Sequence, residues 1–108
     1  MKKWYHYTTK EGLNEILRMR EINSLMGNYV CPTKEDAFKF LGVQIKNKLI
    51  DLSDVRIIVF TTDTSLEVST DHNRDFIDAD AYVSYKPIKI TSIEDVIQFN
   101  IQIGERRN

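Results

Sequence analysis

The chain has 108 residues, 42% of them hydrophobic and 29% charged, with only 4 glycines, 2 prolines and a net charge of −1. That length makes room for one core, so a single domain over residues 1–108 is expected, and the composition excludes a disordered or collagen-like chain. The near-neutral charge supplies no basic field to gather nucleic acid, and no G-x-G-x-x-G or P-loop pattern runs through Gly12, Gly27, Gly42 and Gly104.

Residues 3–8 read as a first strand, with Trp4, Tyr5 and Tyr7 supplying aromatic β-propensity. Thr8-x-x-Glu11 then has the form of a capping box, and Leu13, Ile16 and Leu17 recur at helical spacing, which predicts a helix to about Met19 or Arg20. Residues 21–24 are a short extended exit. Gly27-Asn28 signals a turn into a strand at Tyr29-Val30-Cys31, which Pro32 stops. Thr33 is positioned as N-cap of a second helix, with Glu35 and Asp36 in the first turn, where the helix dipole favours acids. Ala37, Phe40, Leu41 and Gln44 share one face of it.

Residues 51–54 form a polar break before the clearest buried strand, 55–62. A strand fragment is expected at 66–68, a polar acidic loop at 69–78, and strand pattern again at 81–90. Residues 91–95 read as a turn or a single helical turn. Ile97, Phe99, Ile101 and Ile103 then alternate with polar residues, a half-buried strand. Helices early and strands late make the expected class α+β, with mostly antiparallel or mixed sheets.

One cysteine, Cys31, allows neither an intramolecular disulfide framework nor a multi-cysteine metal site. The longest apolar run, Ile57-Ile58-Val59-Phe60, is far shorter than the roughly 20 residues of a membrane span. Residues 1–6 hold no apolar signal region, so a cytoplasmic protein without membrane association is expected. Cys31, His6 and His72 fit no nucleophile signature, and the oxygen-rich run from Asp71 to Asp80 departs from EF-hand spacing, with Arg74 inside it. No metal is expected; that run reads as a solvated loop, with a cover for a bound ligand as the other reading.

Three stretches together resemble a known family. Trp4-Tyr5-His6-Tyr7-Thr8-Thr9-x-x-Gly12-Leu13-x-x-Ile16-Leu17 resembles the first motif of the ADP-ribosyltransferase fold, in small bacterial toxin-like members whose first strand reads His-Tyr-Thr. Gly27-Asn28-Tyr29-Val30-Cys31-Pro32-Thr33, followed by Ala37-Phe38-Lys39-Phe40, is similar to the family's Gly-x-Tyr strand and its following helix. Asp78-Ala79-Asp80-Ala81-Tyr82-Val83-x-x-x-Pro87-Ile88 stands where the family carries an acid, usually Glu, before a strand. Aligned strictly on Pro87-Ile88, the Glu position falls at Ala81, one residue beyond Asp80.

The resemblance implies an NAD-binding protein that cleaves the nicotinamide–ribose bond, transferring ADP-ribose to a protein or nucleic-acid acceptor or hydrolysing NAD, in a toxin, effector or defence role. Such cleavage passes through an oxocarbenium-like transition state. By resemblance, His6 with Tyr7 and Thr8 would bind the dinucleotide, Tyr29 and Phe40 would stack on nicotinamide, and Asp80, then Asp78, would supply the acid. Each residue also has a plainer reading: His6 as a strand histidine satisfied by backbone, Tyr29 as packing, Phe40 as core. The alternative function is a non-catalytic nucleotide- or protein-binding module on the same fold, such as an inhibitor.

Overall fold

Strand β1 (Trp4–Thr9) hands directly to helix α1 (Lys10–Met19), because the Thr9 hydroxyl accepts from the Gly12 amide at 3.0 Å. The cap is therefore Thr9 rather than Thr8, which stays in the strand opposite Arg56. Arg20 ends the helix in a left-handed conformation (φ 57°), its N–H bonded to the Ile16 carbonyl at 2.8 Å. In this computed structural model, which describes residues 1–47 and 51–99, the chain is α+β, with two α-helices and eight strands among those residues.

After β2 (Glu21–Ile22) and β3 (Asn28–Val30), helix α2 (Lys34–Lys46) starts at Thr33, whose hydroxyl accepts from the Asp36 amide at 3.1 Å. A 3₁₀ turn, Leu52–Asp54, then leads into β4 (Val55–Thr61). Ile58 and Phe60 of β4 pack with Leu13 and Ile16 of α1, whereas Val55 and Ile57 pack with Leu41 of α2. A helix covers each face, which is why β4 reads as a continuous apolar run rather than an alternation.

Strands β5 (Glu67–Val68), β6 (Tyr82–Ser84), β7 (Ile88–Lys89) and β8 (Ser92–Gln98) complete three antiparallel sheets, ordered β1-β4-β8, β2-β7 and β3-β6-β5. The continuous strand expected over 81–90 is broken between β6 and β7. Pro87 has no N–H to extend a ladder, and the buried Asn28 amide donates to the Ser84 and Lys86 carbonyls at 3.2 and 3.0 Å, fastening a bend there. The chain thus leaves one sheet and enters another. The turn expected at 91–95 is instead the start of β8. Its register shifts opposite Val59/Phe60, leaving Glu94 without a partner, so Ile93 and Val96 pack against one core despite their odd spacing. Ile101 and Ile103 lie outside the described residues.

Candidate functional site

The site begins where two strands part. Tyr5 and Cys31 exchange backbone bonds of 2.9 and 2.8 Å, joining β1 to the end of β3. Continued antiparallel pairing would set Tyr7 opposite Tyr29, but the ladder stops. The Nδ1–H of His6 donates to the Tyr29 carbonyl at 2.8 Å, taking the acceptor that a ladder bond from β1 would use. Backbone groups alternate along a strand, so the N–H and C=O of Tyr7 face the same edge as those of Tyr5, where β3 has moved away. Among the described residues no backbone bond meets these two groups on that edge, and a donor and acceptor side by side suit a carboxamide or a purine edge.

The parted strands open a cleft of about 760 Å³, within the range of small-molecule sites. His6, Tyr7, Thr8, Tyr29 and Phe40 all line it, so the five candidates for dinucleotide binding share one cavity. Helix α1 contributes Gly12, Glu15, Ile16 and Met19 to the opposite wall. An added Cβ at Gly12 would stand 2.1 Å from the Thr8 hydroxyl, so the absence of a side chain there lets α1 lie against the first strand.

Burial pulls the His6 pKa below 6.5, outweighing the bond to Tyr29, which raises it. The imidazole is therefore neutral at pH 7, with Nδ1 carrying the proton and Nε2 available as an acceptor. The Tyr29 hydroxyl donates to Asp71 at 2.5 Å, and that bond is the main reason its pKa is raised strongly. Gly27, at φ 109°, is needed for the preceding turn: a Cβ there would press on the rings of Tyr29 and Tyr85 at 3.1 and 3.2 Å.

Asp78 and Asp80 are placed differently. Both side chains are exposed, and each accepts from Arg74 at 3.0 Å, outside the cleft walls. The Asp80 amide donates to Asp36 at 3.1 Å, and Lys39 donates to the Asp78 carbonyl at 2.9 Å, tying the segment to α2. Ala81, the strict match to the family's acid, does line the cleft.

Loop 69–81 contributes what the motifs did not single out. Asp71 and His72 line the cleft, with the imidazole of His72 edge-on to Phe40 at 4.8 Å and bonded to the Ala79 carbonyl at 2.8 Å. The signal in sequence was the loop's polarity, which fits a ligand cover and a solvated loop equally. Cys31 is buried and its thiol is pushed up to about 12, chiefly by that burial, so it stays protonated and is a poor nucleophile. Among the described residues no cluster of His, Cys, Asp or Glu is placed to hold a metal ion, and no helix is long and apolar enough to cross a membrane. No family model, curated protein or solved structure matches the chain.

Proposed function

We propose that the chain is an NAD-binding, ADP-ribosyltransferase-like protein that cleaves the bond between nicotinamide and ribose and passes ADP-ribose to a macromolecular acceptor or to water. One observation carries this reading. The His6 side chain holds the carbonyl of Tyr29 across a parted pair of strands, and the resulting cleft gathers the binding candidates of the first two motifs, His6, Tyr7, Thr8, Tyr29 and Phe40.

Within that cleft, the free backbone edge of Tyr7 is suited to the nicotinamide carboxamide, and Tyr29 and Phe40 supply aromatic faces to fix the ring plane. The His6 Nε2 can accept from a ribose hydroxyl. As the C1′–N bond breaks, nicotinamide leaves with the electron pair and becomes neutral, and C1′ takes positive charge until an acceptor oxygen adds and loses its proton. Carboxylates nearby favour that charge only as it develops. Asp80, beside the lining residue Ala81, is the proposed acid and Asp78 its neighbour; Asp80 is paired with Arg74 and does not line the cleft, so this role requires it to leave that pair.

That engagement with Arg74 is the observation favouring the second reading, a non-catalytic nucleotide-binding module with the same cleft. Incubation of the protein with NAD, followed by chromatography for free nicotinamide, separates the two. Nicotinamide release supports the transferase reading; calorimetric binding of NAD without release supports the module, and neither binding nor release removes both.

A further inference from the structure

The charge of the cleft is one-sided. Glu15, Glu21 and Asp71 line it, and among the described residues no lysine or arginine does. Two of these acids are already compensated: Glu15 bonds Arg18 at 2.7 Å and Glu21 bonds Lys89 at 2.6 Å. Asp71 bonds the Tyr29 hydroxyl, a neutral partner, so its charge is the one left facing the cavity. Tyr5, Tyr7, Tyr29 and Phe40 are among the residues lining the same space, Tyr5 and Tyr7 also packing against the core of Leu41, Val55 and Ile57.

A second, independent feature points to an occupant. Asn28 lines the cleft and is 1% exposed, with its amide nitrogen spent on the Ser84 and Lys86 carbonyls. Its Oδ1 has no hydrogen-bond partner among the described residues. Buried acceptors are normally satisfied, so this one leaves a place for a donor that an occupant of the cleft can bring.

We propose that the cleft binds a planar organic cation bearing an N–H donor, and that Asp71 is the residue that selects its positive charge. The attraction is between Asp71 and the cation, reinforced by the aromatic faces; the Asn28 oxygen accepts from the N–H group. Identifying that cation as the oxidised nicotinamide ring, with its carboxamide N–H, rests on the NAD reading above; the preference for charge does not.

The test is calorimetry on the whole protein with two probes that share ring and carboxamide. N1-methylnicotinamide is a permanent cation and nicotinamide is uncharged. The cation is expected to bind about fivefold more tightly, as a partly exposed cation–π and carboxylate site provides. Asp71→Asn is expected to remove most of that preference, Asp71→Glu to retain it, and high salt to weaken it. Circular dichroism checks that both variants fold. Equal binding of the two probes, binding of neither at millimolar concentration, a preference kept by Asp71→Asn or one lost in Asp71→Glu would each overturn the proposal. A cation preference without nicotinamide release from NAD would leave this inference standing and remove the transferase activity; release without the preference would do the reverse.

Discussion

His6 joins the chemistry of the site to the stability of the fold. Because burial lowers its pKa from 6.5, the folded chain resists a proton that the unfolded chain takes up. This contribution to stability is complete above pH 6.5 and declines as pH falls through that value toward the folded pKa. Thermal melts between pH 8 and about pH 5 should show the decline, and His6→Gln should flatten it. For binding, His6→Ala should weaken NAD by about 1–3 kcal/mol, the loss of the desolvated hydrogen bond at Nε2, measured by calorimetry with folding checked by circular dichroism. Equal affinity in wild type and variant would remove His6 from the site. At Asp80 the split lies elsewhere: Asp80→Asn should lower turnover at least tenfold at nearly unchanged NAD affinity, as for a group that acts only in the transition state. Full turnover in that variant would exclude Asp80 as the acid.

Glycines in the two helices separate packing from propensity. Gly42 of α2 has open space where a Cβ would go, so Gly42→Ala should stabilise the protein by about 0.5–1 kcal/mol through helix propensity alone. A Cβ added at Gly12 of α1 would collide with the Thr8 hydroxyl, so Gly12→Ala should destabilise despite the same propensity gain and should disturb the cleft wall. Urea unfolding of both variants checks the contrast in sign. The same level shows what a sequence reveals. α1, α2, β1 and β4 were legible because caps, helical spacing and one long apolar run are local signals. The break between β6 and β7 was not, because it depends on Asn28, 56 residues before Ser84, bonding across the bend. The start of β8 was hidden by the register shift at Glu94, which puts Ile93 and Val96 against the same core and destroys the period of two on which strand recognition relies.

At the scale of the whole molecule, the site is a consequence of topology. β1 is paired along its length with β4 but meets β3 at one bridge, Tyr5–Cys31, and the cleft opens beyond it between α1 on one side and the end of the β3-β6-β5 sheet on the other. His6 and Tyr29 could be singled out in sequence because each sits in a short motif at the start of its own strand–helix unit. Asp71 could not, because its place in the cleft depends on the path of loop 69–81 and on the Tyr29 hydroxyl, 42 residues away in sequence. The sequence likewise gave no sign that Arg74 would engage both Asp78 and Asp80, since an arginine between acids reads equally as a solvated loop.

Cleavage of NAD at the nicotinamide–ribose bond is the activity proposed for this cleft. The most direct measurement is chromatographic quantification of free nicotinamide after incubating the purified protein with NAD, for wild type and His6→Ala in parallel. Nicotinamide is expected to accumulate with time and with wild-type protein concentration, with a markedly lower yield from His6→Ala at limiting NAD. No release above the rate of NAD alone, or equal release from both proteins, would contradict it.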